Sequence, residues 1–350
     1  MAAQHLLHRI GRLAEGSSDV LEGSRILYLA RSLSASDRWR AMIVVDVTVL
    51  TPSRNYAAFI EDAILSTRAQ EGVSVQHVVQ DGSSSDDTPA ILSRHDAFVE
   101  WSSEPDEGQS DALNKALAKA AGRWVGWLNA DEFYLPGGLA HLVAVGERTG
   151  ADVVYGDCVI VDEAGRVTRL LAHHGFSARV LRKYGTYISS CSAIFRRSAL
   201  GQDPWDIGIR RVMDWDLYLK LLARGATFRY VPYPVAAFRS HPDQVTAAPW
   251  QAWQQEDELI ADRYGLPTAL AERWKTHTRW RWLHRAHKLL GGAYQRERRA
   301  RALIGSDLRW FDSESAHANA AQFLERTYKR PRRQADRDSA NDSAGTVSDA

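Results

Sequence analysis

The sequence predicts an α/β fold, in which a Rossmann-like, mostly parallel central sheet with flanking helices is followed by a C-terminal helical extension. Three observations predict it. From Ile43 to about Ser240, short apolar runs alternate with helical periodicity, which is the rhythm of βαβ units. Of the 350 residues, 45% are hydrophobic and 25% are charged, a composition that excludes wholesale disorder. Residues 249–330 carry helical patterns rich in Arg and Trp.

The first half of the alternating region contains four predicted strands separated by helices. The strands are predicted at residues 45–51, 75–80, 97–102 and 124–128. Apolar spacing from Ile60 onward predicts the first helix, Pro89 fits the first turn of the second, and residues 110–121 predict the third. Ligands of such sheets bind outside the carboxyl ends of the strands. We therefore expect function in the loops that directly follow the strands.

The second half is less regular and predicts a unit packed on the same sheet. Its elements are strands at 152–155, 158–162, 167–171, 192–196 and 227–231, a turn at 163–166 and a helix at 214–224. We expect this half to bring a second substrate to the ligand of the first half.

Composition divides the chain into four parts, which differ in apolar periodicity and in charge. They are a leader at 1–41, disordered or a short amphipathic helix; a main domain at 42–248, with halves at 42–150 and 151–248; the helical Arg/Trp-rich extension at 249–330; and a disordered tail at 331–350.

The charges nearly balance, with 44 basic and 43 acidic residues and a net charge of +1. No global field attracts nucleic acid, so we expect no nucleic-acid partner. Two cysteines, Cys158 and Cys191, are too few for a disulfide framework, and no apolar run approaches the roughly 20 residues of a membrane span. We expect a cytoplasmic protein whose membrane contact is limited to peripheral association at the inner face.

Small and acidic residues follow the first, second and fourth predicted strands. The segments PSRNY (52–56) and DGSSSDDT (81–88) bring backbone amides and carboxylates to neighbouring strand ends. Each is a turn when taken singly, and together they suit a nucleotide, because an aspartate accepts a hydrogen bond from a base N–H. Asp131 and Glu132 follow the fourth strand. Such a pair suits Mg²⁺ or Mn²⁺ that also binds substrate phosphates, and the alternative is a solvated helix cap before Pro136.

Five segments occur in a fixed order: VLTPSRN at 49–55, QDGSSSDDT at 80–88, SEPDEGQ at 103–109, NK at 114–115 and GWLNAD at 126–131. Together they resemble the nucleotide-sugar half of glycosyltransferase family 2, the inverting enzymes of the GT-A fold. The resemblance covers about residues 43–245. It implies a GT-A fold, a divalent metal ion and a nucleoside-diphosphate sugar donor, with UDP as the expected nucleotide.

The resemblance also implies roles for residues of the donor pocket. Asp81 would hold the donor base, and Pro52, Arg54 and Tyr56 would line the same pocket. Asp106 and Lys115 resemble family residues near the ribose and the diphosphate.

Asn129 and Asp131 stand where the family usually has Asp-x-Asp. There the first position contacts ribose or metal, and the second holds the ion that binds the diphosphate. Asn129 brings no charge, so Asp131 is the one strong carboxylate of the motif. Glu132 is a further candidate ligand.

Two later segments resemble the acceptor side of the family. MDWDL at 213–217 makes Asp214 the candidate base that takes the proton of the attacking hydroxyl, with Asp216 as the alternative. Both acids also fit an ordinary helix N-terminus. FRSH at 238–241 resembles the family's Tyr-Arg-x-His, which makes His241 a candidate metal or phosphate ligand.

The extension contains ten Lys or Arg residues between Arg273 and Arg301, against the single acid Glu297, with tryptophans among them. This pattern fits either a solvated helical face or a surface for an anionic partner, which would be a membrane that carries a lipid-linked acceptor or a phosphate-rich glycan. A recognisable nucleic-acid module is missing from it.

The sequence therefore predicts a metal-assisted inverting glycosyltransferase that uses a nucleoside-diphosphate sugar, with a UDP-sugar favoured. The acceptor would be a glycan or a lipid-linked hydroxyl in surface polysaccharide or glycoconjugate biosynthesis. Two alternatives stay open. A non-catalytic sugar-nucleotide binding module is favoured by Asn129, and a sugar nucleotidyltransferase would need a Gly-rich basic loop that residues 52–56 do not supply.

Overall fold

A computed structural model describes residues 45–242, 244, 250–266 and 270–328. The predicted leader at 1–41 and tail at 331–350 lie outside the described residues. From Val45 onward the chain forms one compact unit. Within the described residues, no helix combines the length and the apolar character that crossing a bilayer requires.

Nine strands and eleven α-helices occur within the described residues. The strands are β1 Val47–Ser53, β2 Val75–Asp81, β3 Val99–Ser103, β4 Trp124–Trp127, β5 Phe133–Tyr134, β6 Val153–Val161, β7 Val167–Leu171, β8 Ala193–Arg196 and β9 Phe228–Arg239. The helices are α1 Ile60–Arg68, α2 Thr88–Arg94, α3 Gln109–Leu117, α4 Gly138–Thr149, α5 Ala178–Lys183, α6 Arg197–Leu200, α7 Met213–Ala223, α8 Trp250–Arg263, α9 Leu270–Leu290, α10 Ala293–Ala300 and α11 Glu314–Tyr328.

The strands form one sheet in the order β3-β2-β1-β4-β8-β6-β9-β5, with β7 paired to β6. The first four strands are all parallel, so their carboxyl ends lie at one edge. β8 then runs antiparallel to both of its neighbours, and β9 runs parallel to β6. The predicted α/β class, a central sheet with flanking helices, is confirmed. The continuous parallel part of the sheet consists of β1 to β4, in the first half of the main domain.

Buried apolar side chains hold the helices on the sheet. Leu50 and Val78 of the sheet share a cluster with Leu113 of α3, and Trp124 shares one with Leu142 of α4. All five side chains are fully buried. Burying such a side chain contributes about 1.5–3 kcal/mol, so the edge of the sheet where the loops emerge has a rigid support.

The first strand extends two residues beyond its predicted end, because Pro52 does not stop it. Pro52 pairs with Gln80 of β2, whereas pairing with β4 ends at Leu50. The missing N–H of the proline therefore falls where the strand has a neighbour on one side only, a position that tolerates proline.

The two strands predicted at 152–155 and 158–162 are one strand, β6. Gly156 and Asp157 resemble a turn in the sequence, but they form an irregularity in the pairing of β6 with β9. A Cβ on Gly156 would lie 2.4 Å from the carbonyl oxygen of Tyr233, so only glycine allows the close approach. β9 is likewise longer than predicted, since it continues through Pro232 and Pro234.

The extension packs into the main domain through a buried carboxylate. Asp157 accepts hydrogen bonds from Arg296 Nε (2.9 Å), Tyr328 Oη (2.8 Å) and Tyr230 Oη (2.5 Å), and from the backbone N–H of His173 (2.7 Å). Burial raises the pKa of Asp157, and the Arg296 guanidinium opposes that rise. Helices α10 and α11 thus share a buried polar centre with the sheet, alongside an apolar cluster that includes Phe323.

Candidate active site

A cavity of about 260 Å³ opens at the edge where the parallel strands end. Its walls come from the loops after β1 and β4, the start of α3, the start of α7 and the end of β9. Seven of the residues that the sequence singled out line it: Pro52, Arg54, Tyr56, Asp106, Asn129, Asp131 and Asp214. The other five, Asp81, Lys115, Glu132, Asp216 and His241, are not among its lining residues.

The loop after β1 is held by the loop after β2. Asn55 has a left-handed backbone, with φ of 61°, a conformation that asparagine tolerates well. Its N–H donates to Ser84 Oγ (2.7 Å), and its Oδ1 accepts from the Ser85 N–H (2.8 Å). These bonds fix the position of Arg54 and Tyr56 on the cavity wall.

Asp81 is fully buried at the end of β2 and makes local hydrogen bonds. Its carboxylate accepts from the Ser84 N–H (2.9 Å), Ser84 Oγ (2.5 Å) and Ser103 Oγ (2.6 Å). Gly82 next to it allows a close approach of Asp106, because a Cβ there would lie 2.5 Å from Asp106 Oδ2. Asp81 therefore lies behind the wall that Asp106 forms.

Lys115 lies away from the cavity, on the outer part of α3. Its Nζ pairs with Asp111 (3.0 Å) and donates to the carbonyl oxygen of Pro105 (2.9 Å). The structure thus gives Lys115 a role in supporting the Asp106 segment, and any contact with a donor would require it to leave these partners.

Asn129 lines the cavity with its carbonyl oxygen already engaged. Oδ1 accepts from Gln109 Nε2 (2.6 Å) and from Trp127 Nε1 (2.8 Å). A carbonyl oxygen has two lone pairs, so this oxygen has little capacity left to coordinate a metal ion.

Asp131 and Glu132 are adjacent in sequence but lie in different surroundings. Asp131 lines the cavity and its Oδ2 is 3.0 Å from His241 Nε2. Glu132 is buried away from the cavity, where its Oε2 accepts from the Asn129 N–H (2.8 Å). Burial and the neighbouring Asp131 raise the pKa of Glu132 well above its ordinary value, which favours an uncharged carboxyl that is a poor metal ligand.

The side chains of Asp131 and His241 fit a divalent cation that takes its other ligands from a diphosphate. Mg²⁺ is usually held by one or two carboxylates plus substrate phosphates, and Asp131 is one such carboxylate. Among the described residues, no group of three or more His, Cys, Asp and Glu side chains could hold a metal ion by itself.

Arg239 fixes the backbone beside Asp131. This buried arginine donates from Nε to the Asp131 carbonyl oxygen (2.9 Å) and from Nη2 to Asp62 Oδ2 (2.5 Å). A third bond goes to the carbonyl oxygen of Glu163. The arginine of the FRSH segment thus positions the loop, and its histidine contacts the carboxylate.

Asp214 and Asp216 begin α7 and point to different environments. Asp214 is half-buried on the cavity wall, and burial raises its pKa to about 6. Asp216 is buried outside the cavity lining, where it pairs with Arg263 (2.9 Å) and Lys220 (3.3 Å). Of the two candidate bases, the structure brings Asp214 to the cavity, whereas Asp216 is paired elsewhere.

Sequence reasoning missed several lining residues. Ser53 is buried, and its Oγ has no hydrogen-bond partner among the residues described here. Arg210 and Arg211 bring positive charge to the wall, and Arg211 pairs with Glu256 of α8 at 3.2 Å. Glu256 also accepts from three successive backbone N–H groups before α7. The contact between Glu256 and the segment before α7 forms only on folding, so the local sequence did not predict it.

Residues 48–202 match the profile of the family described as Glycosyl transferase family 2. Among curated proteins, the chain is similar to two succinoglycan biosynthesis proteins of Rhizobium meliloti (strain 1021). ExoO is 33% identical over 131 residues, which are 37% of this chain and 38% of that relative. ExoU is 26% identical over 206 residues, which are 53% of this chain and 59% of that relative. The chain thus spans less than two thirds of the length of both.

A third relative is a PGL/p-HBAD biosynthesis glycosyltransferase of Mycobacterium tuberculosis (strain ATCC 25177 / H37Ra). It is 28% identical over 203 residues, which are 55% of this chain and 75% of that relative. Among solved structures, S. aureus TarS 1–349 in complex with UDP has a TM-score of 0.51 at 16% identity, covering 81% of this chain and 89% of that chain. This last likeness concerns the fold and confirms the predicted GT-A architecture. The matched residues 48–202 thus belong to glycosyltransferase family 2.

Proposed function

We propose that this protein transfers a sugar, with inversion, from a nucleoside-diphosphate donor, UDP-linked in the favoured case, to an acceptor hydroxyl. One observation carries the proposal. Asp131 and Asp214 come from segments more than eighty residues apart in the printed sequence, and both line one cavity at the carboxyl edge of the sheet. A metal-site carboxylate and a base on one cavity are what a single-displacement transfer needs.

Asp214 would act as the base. Inversion requires a group that takes the proton of the acceptor hydroxyl on the side of the sugar carbon opposite the leaving diphosphate. With a pKa raised to about 6, Asp214 is deprotonated at neutral pH and still basic enough to accept a proton in the transition state.

Asp131, with His241 behind it, would hold the divalent ion, Mg²⁺ or Mn²⁺. When bound, such an ion neutralises charge on the diphosphate oxygens. Arg210 and Arg211 would add positive charge on the same wall, and the unpartnered Ser53 hydroxyl would bond the nucleotide part of the donor. Asp81 would orient the base-binding loop from behind Asp106.

The process would be surface polysaccharide or glycoconjugate biosynthesis, with a glycan or lipid-linked acceptor. The names of the relatives support this, since ExoO and ExoU are succinoglycan biosynthesis proteins and a third relative acts in PGL/p-HBAD biosynthesis.

A ligand screen followed by product analysis tests the proposal. Thermal unfolding is measured with UDP, GDP, UDP-sugars and GDP-sugars, each with and without Mn²⁺, because a ligand that binds the native state raises the unfolding temperature. We expect a nucleoside-diphosphate sugar to stabilise the protein, more strongly with Mn²⁺, and turnover to release the nucleoside diphosphate. Release of pyrophosphate would indicate a nucleotidyltransferase, and binding without turnover across a wide acceptor panel would indicate a binding module.

We also propose that the protein associates peripherally with the anionic inner face of a membrane. On α9, Arg279, Arg281 and Arg285 are exposed, and so are Trp282 (65%), Leu289 (68%) and Leu290 (87%). We call these six residues the basic outer face. Basic residues near an anionic leaflet contribute about 1 kcal/mol each, and exposed apolar side chains can enter the interface.

Vesicle co-sedimentation tests this association. We expect binding to vesicles that contain phosphatidylglycerol, weak binding to pure phosphatidylcholine, and loss of binding in the double variant Arg281→Glu/Arg285→Glu. Equal binding of the double variant and the unmodified protein would contradict the proposal.

A further inference from the structure

A second cavity, of about 300 Å³, adjoins the first at the candidate base. Ser190, Asp214 and Phe238 line both cavities. The second cavity has no lining residue from the loops after β1, β2 or β4. Asp131 lines only the first cavity. The second cavity thus adjoins the candidate base without the metal-site carboxylate, which is where we place the acceptor, given the proposed function on which this inference rests.

Helix α9 of the extension forms part of the wall of this second cavity. From Trp280 to Leu290 its exposure alternates with helical period, so that one side is buried or half-buried and the other is the basic outer face. His284 and Lys288 stand one turn apart on the inner side, and both line the cavity. The Arg/Trp-rich extension therefore contributes to the site with one side of α9.

The wall that faces α9 is made of aromatic and imidazole rings. Tyr184 stacks on His284, with centroids 4.7 Å apart and planes at 11°. Tyr187 stacks on His174 at 4.4 Å and 16°, and His174 Nε2 lies 2.9 Å from His284 Nδ1. These contacts fix flat ring surfaces beside the cavity before any ligand binds.

The charged groups of this wall are almost fully compensated. Burial lowers the pKa of His173 to about 3 and that of His284 to about 4, so both imidazoles are neutral near neutral pH. Lys288 is buried and pairs with Glu297, which also accepts from the Ala172 N–H at 3.2 Å. The remaining uncompensated charge on the cavity lining is the Asp214 carboxylate, which repels anions.

We propose that this second cavity binds the acceptor as one uncharged, hydroxylated ring, such as a neutral pyranose, laid against the rings of Tyr184 and Tyr187, and that α9 sets this specificity. A volume of about 300 Å³ is at the small end of ligand pockets, which measure roughly 300–1,000 Å³, so it suits one ring. Hydroxyl groups of Thr186, Ser189 and Ser190 on the lining supply polar partners for such a ring.

A matched pair of probe acceptors tests the class of ligand. p-Nitrophenyl β-D-glucopyranoside and p-nitrophenyl β-D-glucuronide share one ring and differ by a carboxylate. With the full-length protein and the donor that the thermal screen identifies, we expect transfer to the glucoside and at least about tenfold lower kcat/KM for the glucuronide, a difference of about 1.4 kcal/mol. Preference for the glucuronide, or transfer to neither probe, would overturn the inference.

Variants of the cavity test the place of binding. Thr186→Trp at the exposed rim fills the cavity without removing a core contact, and His284→Ala removes one ring of the wall. We expect both to raise the KM for the glucoside about tenfold, while the donor Kd stays unchanged. The control Ala286→Gln, on the exposed side of the same helix, should leave both quantities unchanged.

The outcomes separate two failures. An unchanged acceptor KM in Thr186→Trp and His284→Ala, with normal donor binding, would overturn this inference alone. A wild-type protein that binds no nucleoside-diphosphate sugar would overturn the proposed function, and this inference with it.

Discussion

The two cavities differ in how their walls are assembled. The donor-side wall comes mainly from loops that directly follow parallel strands β1 and β4 and from the start of α3, all within the family-matched residues 48–202. The acceptor-side wall combines β7, the segment at 184–190 and α9. The first wall carries several arginine and aspartate side chains, whereas the charges of the second wall are nearly compensated.

This difference separates the part of the site that the sheet positions from the part that the C-terminal helix adds. Parallel strands bring their carboxyl ends to one edge whatever the loops contain, so the donor wall is fixed by the fold. The proposed acceptor wall depends instead on α9, which lies outside the family-matched residues 48–202. We infer that the sheet and its loops determine donor binding, whereas the C-terminal extension determines which acceptor binds.

The largest expected effect falls on the donor side. Asp131→Ala should lower kcat for transfer by about 10²–10³-fold, the loss typical of a group that stabilises transition-state charge. Because Asp131 is buried and contacts His241, the unfolding temperature of the variant is measured as well, so that a loss of folding is distinguished from a loss of transfer. The control Asp87→Ala, at an exposed position outside the cavity, should keep full activity. Full activity of Asp131→Ala in the absence of added metal would contradict the proposed metal site.

The next effect concerns the docking of the extension. Asp157→Ala leaves the buried Arg296 without its carboxylate, and breaking a buried pair costs about 3–5 kcal/mol of the free energy of unfolding. Asp312→Ala breaks an ion pair with Arg309 in which the aspartate side chain is 52% exposed, and should cost about 0–1 kcal/mol. Urea denaturation of both variants measures the difference. Equal stability of the two would show that Asp157 does not hold the extension.

The smallest effect concerns an exposed charge on the donor wall. Arg210→Ala should raise the donor Kd about two- to fivefold, since exposed charge interactions contribute about 0.2–1 kcal/mol. The effect should shrink with added salt. Arg229→Ala, exposed and outside the cavity lining, is the matched control, and a loss that persists at high salt would argue against a charge effect.

The sequence predicted the donor wall better than the acceptor wall for a physical reason. Tyr56, Asp106 and Asp131 follow predicted strands directly, so chain order alone places them together. Ser53 lies in the same segment, but a serine between Pro52 and Arg54 gives no sequence signal that its hydroxyl is left without a partner among the described residues. Arg210 lies in a segment held by Glu256 of α8, a contact made between residues far apart in the chain.

The acceptor wall could not be predicted because its parts become neighbours only on folding. Tyr184 and His284 are a hundred residues apart in the printed sequence and stack in the structure. The sequence predicted two strands separated by Gly156 and Asp157, so the continuous strand β6 and the buried carboxylate that docks the extension were not recognised. The run of basic residues in α9 predicted an exposed, positively charged face. The residues on the opposite side of the helix form no pattern that would indicate a cavity wall.

The pH dependence of transfer, with the variant Asp214→Asn beside the unmodified protein, tests the central claim most directly. A base must be deprotonated to work, so below its pKa of about 6 kcat/KM should fall by about tenfold per pH unit, and above it the rate should level off. Asp214→Asn should lower kcat by about 10²–10⁴-fold and remove this limb, with the donor Kd unchanged. Wild-type turnover in Asp214→Asn, with the same pH profile, would contradict the account.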